Sequence, residues 1–219
     1  MSAVNKAAVA PAGRVRRDPV RVRASILRAA VAEFSDKGLG GARVDEIARR
    51  AGINKRMLYH YFGDKEALFL AALERAYEEI RNAERELHLG DLEPEEAMRR
   101  LVSFTFDYLA RAPYFISLLN SENLHKARHL KKSARIRDMH SSMVDMIDGV
   151  LRRGVEKGLF RADADPVQLF ITISGIAYFY FSNVHTLSAI FGRKFTSKDE
   201  RAARHAHVVD AVMGYLRPL

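Results

Sequence analysis

Apolar residues recur every three or four positions along almost the whole chain, and glycines cut that recurrence into pieces of helix length. Val22, Ile26, Ala30 and Phe34 draw one stripe that stops at Gly38. Val44, Ile47, Ala48 and Ala51 draw a second, short one that stops at Gly52. Leu58 and Phe62 belong to a third, opened by Asn54 as an N-cap and closed by Gly63. This period marks amphipathic α-helices, and no run of alternating β-branched residues competes with it. Asp64 then caps a longer helix with Leu68, Ala72, Ala76 and Ile80 in one row. Beyond it the pattern predicts a helix from Pro94 to Ala112, a short apolar segment Tyr114–Leu119 after Pro113, and a helix over Arg135–Lys157. Asp165 and Pro166 open an apolar helix running to about Ile190, and a last helix covers 198–216. The expectation is an all-α protein of about nine helices.

Charge divides the same chain in two. Residues 1–65 carry 14 basic and 6 acidic side chains, whereas residues 66–219 carry 22 and 21. A basic head on a neutral body suits a polyanion, either nucleic acid or an anionic membrane surface. Residues 1–20 read as a flexible basic arm, because Arg14, Arg16 and Arg17 follow the Ala- and Val-rich stretch instead of preceding it as in a signal peptide. The arm either reaches the minor groove or phosphates, or only solubilises the head. Residues 167–192 lack Asp, Glu, Lys and Arg, but eight polar residues from Gln168 to Ser188 interrupt them, so no membrane span is expected. The chain reads as soluble and cytoplasmic. With no cysteines it has no disulfide framework, thiolate metal site or cysteine nucleophile.

Two short helices joined by a turn within 43–62 have the dimensions of a helix-turn-helix, whose second helix enters the major groove of DNA. Its outward face would be Lys55, Arg56, Tyr59 and His60, all hydrogen-bond donors. Lys and Arg can donate to guanine O6 and N7, and the helix N-terminus behind Asn54 attracts phosphate. No other chemistry-bearing motif stands out. His125 and His129 with Glu122 approach metal-ligand spacing, but there is no HExxH pattern and no further spaced ligand, so neither metal nor cofactor is expected. Gly38–Gly41 follows a helix rather than a strand and is no phosphate loop, and no Ser-His-Asp arrangement supports an enzyme.

From Ile26 to Leu68 the chain resembles the DNA-binding domain of the TetR (tetracycline repressor) family. The residues that carry the likeness are Phe34, Lys37-Gly38, Val44–Ala48, Ala51–Ile53, Leu58–Phe62 and Lys65–Leu68. The resemblance implies a dimeric, ligand-responsive transcription factor, usually a repressor and alternatively an activator or a repressor with a corepressor. It also implies phosphate contacts from Tyr59, Tyr61 and Lys65. Where the family often places Thr or Ser before the second helix, this chain has Ala42 and Arg43; Arg43 offers a phosphate contact but cannot cap in the same way. Arg56 and Met57 replace a pair that is often small or hydroxylated. The implied domains are 21–65 for double-stranded operator DNA and 66–219 for ligand binding and dimerisation.

The body is rich in aromatic residues, and four in a row, Tyr178–Phe181, point to every side of a helix that must then be covered on more than one side. Phe104, Tyr108, Phe115, Leu119, Met143 and Tyr178 are the candidate lining of an effector cavity. Such a wall suits a small aromatic molecule, and His125, Arg128, His129 and His140 suggest an acidic one. Because one helix-turn-helix reads few base pairs, two must be held about 34–36 Å apart or a multiple of that. The last two helices are the candidate homodimer interface, with Ala202, His205, Val209, Val212 and Met213 on the second of them.

Overall fold

The computed structural model describes residues 18–218. Among these lie ten α-helices and no strand: α1 (Pro19–Gly41), α2 (Val44–Arg50), α3 (Lys55–Phe62), α4 (Lys65–Arg85), α5 (Pro94–Arg111), α6 (Pro113–Leu124), α7 (Ala134–Glu156), α8 (Pro166–Ser182), α9 (Val184–Phe191) and α10 (Lys198–Leu216). The count exceeds nine because the apolar run from Pro166 is not one helix. It turns by 67° at Asn183 into α9. Among the described residues no single helix is long and apolar enough to cross a membrane. The proposed basic arm, 1–20, lies outside the described residues as far as position 17. From Pro19 onward it is already helix, because the Asp18 carboxylate at the N-cap accepts from the Val20 N–H at 2.9 Å and Pro19 occupies the first turn.

Capping side chains also open α3, α4 and α8. Asn54 accepts from Met57 N at 2.8 Å, Asp64 from Ala67 N at 2.7 Å and Asp165 from Gln168 N at 2.7 Å. Gly38 takes φ 64°, a left-handed conformation that costs a Cβ-bearing residue free energy, and so kinks α1 before its last turn. That kink delivers the Leu39 N–H to Ser121 Oγ on α6 at 3.2 Å.

A single hydrophobic cluster runs from Val22 to Leu216. At its head α1, α2 and α3 close around Phe34, Ile47 and Leu58, each fully buried. Phe34 meets Phe69 of α4 edge to face, with ring centroids 5.1 Å apart. α1 also packs along α6, and α5 packs on α8 and α10, so the head is continuous with the body. α4 is the link. Polar contacts fasten it to the body along its length: Arg128 to Glu66 at 2.7 Å, Ser133 to Glu74 at 2.7 Å, Arg135 to Glu78 at 2.6 Å and Tyr114 to Glu79 at 2.8 Å.

Candidate functional site

The helix-turn-helix is held by its inner faces. Ile47 and Ala48 of α2 and Leu58 and Phe62 of α3 are buried, and the Arg23 guanidinium lies 5.0 Å over the Phe62 ring. Between the helices the Ile53 N–H bonds Ala48 O at 3.0 Å, which turns the chain within a few residues. This leaves Lys55, Arg56, Tyr59 and His60 exposed together on one face of α3, as their spacing predicts. Lys55 Nζ lies 3.1 Å from Asp45 on α2, an exposed ion pair that a phosphate or base can displace cheaply. Tyr61 is half-buried beside His60, and Lys65 rests near Gly40 O at 3.4 Å. Asn54 uses its side chain as the cap of α3. Met57 packs against the core rather than joining the outward face.

Arg43 stands at the N-cap of α2 and makes no side-chain cap. Glu33 takes over part of that work. This buried carboxylate accepts from the Arg43 backbone N–H at 3.2 Å and sits 3.2 Å from Arg50 Nη2. The sequence hides its place, because a glutamate beside the Ala30–Phe34 stripe looks like a surface residue. On α2, Glu46 is gripped by Arg49 and Arg50, whose hydrogen bonds pull its pKa down to about 2.

A cavity of about 530 Å³ lies between α4, α5, α6, α7 and α8. Of the six proposed lining residues, Phe115, Leu119 and Tyr178 form part of its wall, and three do not. Tyr108 turns its hydroxyl to that of Tyr114 at 3.3 Å, Phe104 packs on the Tyr108 ring at 5.7 Å, and Met143 is buried in the core. The wall also contains Arg81 and Glu84, which helical spacing could have revealed. They extend the inward rows Leu73–Tyr77–Arg81 and Ala76–Ile80–Glu84, so charges occupy positions where the pattern calls for apolar residues. Burial pushes the Glu84 carboxyl up to about 7 and the Tyr77 hydroxyl up to about 12. It lowers His140, helped by the charge of Arg81, and it lowers Arg81 itself.

The other suggested acid-binding residues are engaged elsewhere. His129 is buried against Glu122, which also accepts from the His129 and Leu130 N–H groups at 2.8 and 2.9 Å. Arg128 is paired with Glu66, and His125 bonds Ser121 O at 2.7 Å. Among the described residues no group of three or more His, Cys, Asp or Glu is placed to hold a metal ion.

The proposed interface on α10 divides in two. Val212 and Met213 are 1% and 6% exposed, packed inside the protomer on α5 and α8, and cannot meet a second copy. The helical phase is the reason: with Val208 and Leu216 they form the inward row. His205 is half-buried on the Phe106 ring at 5.3 Å, Val209 is half-buried and Ala202 is exposed. The outward face of α10 is instead Ala203, Ala206, His207, Asp210, Ala211 and Gly214. Beside it α8 exposes Val167, Ile171 and Phe179 at 44%, 54% and 56%.

A basic helix-turn-helix joined by one long helix to a cavity-bearing helical body defines a DNA-binding regulator. Comparison with known proteins makes the class specific. Residues 26–72 match the model "Bacterial regulatory proteins, tetR family", and residues 94–212 match "Tetracyclin repressor-like, C-terminal domain". The chain belongs to the TetR family of transcriptional regulators. It is 39% identical over 197 residues to the HTH-type transcriptional repressor NicS of Pseudomonas putida, covering 90% of this chain and 93% of that one. The repressor SCO4008 of Streptomyces coelicolor is 30% identical over 161 residues, 72% of this chain and 78% of its own. The crystal structure of the regulator SCO4942 from Streptomyces coelicolor superposes with a TM-score of 0.66 at 28% identity, over 89% of this chain and 98% of that one.

Proposed function

We propose that the protein is a homodimeric repressor that holds a palindromic operator through two copies of α3 and leaves it when a small molecule fills the body cavity. In this reading residues 21–65 bind DNA and residues 66–219 bind effector and partner, within the cytoplasm. Lys55 and Arg56 read base edges, and Arg43, Tyr59, His60, Tyr61 and Lys65 position the phosphates, with Asn54 fixing the helix end between them.

The observation that carries the reading is the course of α4. Lys65 stands at its first turn, beside the DNA face, and Arg81 and Glu84 stand in the cavity wall near its other end. A ligand that holds Arg81 and Glu84 differently in two states of α4 therefore shifts the spacing of the two heads, and only that differential affinity can do so. Dimerisation enters the same device. Ile171 and Gly175 line the cavity and also belong to the uncovered side of α8, so a partner laid along α8 and α10 would close the cavity mouth. That the relatives NicS and SCO4008 are described as repressors supports the sign of the regulation.

The test is a gel-shift titration of the protein against the DNA upstream of its own operon, at two salt concentrations. Sequence-selective binding that weakens steeply with salt, by a two-fold symmetric complex, is the expected result. Binding without sequence preference would end the proposal.

A further inference from the structure

The cavity contains an arginine and a glutamate that do not satisfy each other. Arg81 Nε lies 2.9 Å from Glu84 Oε2, but the two are misaligned for a hydrogen bond, and Arg81 Nε, Arg81 Nη1 and Glu84 Oε2 are buried without a hydrogen-bond partner. The side chains are 7% and 2% exposed. Polar atoms so placed are costly unless something completes them, and the gap points to a ligand with polar atoms of its own. The guanidinium lies 5.7 Å over the Phe170 ring. Around it Tyr77, Phe115, Phe170 and Tyr178 supply flat apolar walls, and the volume of about 530 Å³ suits one or two rings.

The charges then select the kind of polar group. Among the described residues of the wall, Arg81 is the one fixed cation. His140, on α7, is pushed toward its neutral form, and Tyr77 on α4 and Tyr108 on α5 are pushed toward theirs. α8 adds Tyr178, and α6 lines the cavity with Phe115, Leu119 and Asn123. With Glu84 ionised the wall carries no net charge, and with Glu84 protonated it carries one positive charge ready for an anion. Because burial already holds Glu84 near neutrality, the second state is cheap.

Resting on the effector-release reading above, we infer that the effector is an aromatic monocarboxylate whose two oxygens accept from Arg81 and from a protonated Glu84. Binding then draws a proton from solvent. The ligand carboxylate replaces the Glu84 carboxylate as the counter-ion of Arg81, and Glu84 becomes a donor.

The probes are benzoate, 1-naphthoate and 2-naphthoate with their matched carboxamides, titrated calorimetrically into the full-length protein at pH 7.5 in phosphate and in Tris. At least one acid should bind, its carboxamide should bind roughly 10- to 100-fold more weakly, and the two buffers should give heats that differ by the uptake of up to one proton. Glu84→Gln should remove that buffer dependence, and Arg81→Gln should remove the preference for acid over amide. Carboxamides as tight as their acids, no acid binding, or proton uptake that survives in Glu84→Gln would each overturn the inference; the first two need no variant to fold. Operator release separates this inference from the reading it rests on. An acid that binds as described without releasing DNA defeats effector release alone, and a neutral ligand that releases DNA defeats the carboxylate alone.

Discussion

The head and the body each carry an arginine and a glutamate three residues apart on one helix, and the two pairs behave oppositely. On α2, Arg49 Nη2 meets Glu46 Oε1 at 2.6 Å on the surface, and the carboxyl falls to about 2. On α4, Arg81 Nε and Glu84 Oε2 are 2.9 Å apart inside the protein, misaligned, and the carboxyl rises to about 7. The spacing is the same, but the surface carboxylate is hydrogen-bonded by two arginines, Arg49 and Arg50, which outweigh its desolvation, whereas in the core the cost of desolvating the charge exceeds the attraction of Arg81 alone. Surface pairs of this kind tune a helix, and buried ones leave chemistry unfinished, which is where ligands act.

The strongest way to test the division is to place a charge on each side of the body's outer layer. Val212→Asp puts a carboxylate where the protomer has 1% exposure, and it should cost on the order of 4 kcal/mol or more and abolish folding. Ile171→Arg, on the exposed side of α8, should leave the helicity and the midpoint of chemical unfolding nearly unchanged while turning dimers into monomers that lose operator binding. Circular dichroism with sedimentation velocity reads both. If Ile171→Arg remained dimeric, α8 would not be the self-associating face.

The two glutamates predict opposite pH responses. Glu84 has its folded pKa raised from an ordinary 4.5, so the stability it contributes is complete below that value and disappears as pH rises toward about 7. The shift corresponds to on the order of 3 kcal/mol. His140 works in the other direction, since a lowered pKa makes stability rise as pH climbs through its ordinary value of 6.5. Subtracting the unfolding curve of Glu84→Gln from that of the wild type at each pH isolates the first effect. A difference that stays flat from pH 4 to pH 8 would refute it. Glu46, with its pKa depressed, should keep its contribution above about 4.5 and lose it as pH falls from there through about 2.

On the DNA side, Lys55→Ala and Arg56→Ala should weaken operator binding by ~1–3 kcal/mol each and relax base preference at one position. Lys65→Ala should instead weaken all sequences alike and flatten the salt slope by about one unit. A Lys65 variant with changed base preference and an unchanged slope would reverse the two roles.

Head and body are unequally legible in the amino-acid sequence. Framework positions such as Phe34, Ile47 and Leu58 announce themselves because burying a large apolar side chain at helical spacing has few alternatives. Asn54, Asp64 and Asp165 are equally plain, since a cap is a local event within a few residues. Phase is harder. Whether Val212 faces a partner or its own core depends on how α10 lies on α5 and α8, which spacing on α10 alone does not fix. The break at Asn183 is hidden because neither Gly nor Pro marks it. Glu33, Arg81 and Glu84 are overlooked for a third reason: a charged residue on or beside an apolar row is read by default as solvated, although for Arg81 and Glu84 the row itself points inward.

The smallest expected effect is also the one that best separates folding from function in the head. Arg43 occupies the N-cap of α2, with Glu46 as the third helical residue. Arg43→Ser would let a hydroxyl accept from the Glu46 N–H, the usual capping bond, and should stabilise the protein by about 0.5–1 kcal/mol. The reciprocal bond of a full capping box is not expected, because the Glu46 carboxylate is already held by Arg49 and Arg50 and Glu33 already accepts the Arg43 N–H. The gain should therefore sit at the lower end. Yet the same change deletes an exposed cation next to the DNA face, so operator affinity should fall uniformly across sequences, with a salt slope smaller by about one. A variant that unfolds later and binds DNA more weakly would show that the arginine at this cap serves the phosphate backbone at the expense of the helix. If Arg43→Ser raised stability and left the salt slope unchanged, Arg43 would contact no phosphate, and the DNA face would begin at α3.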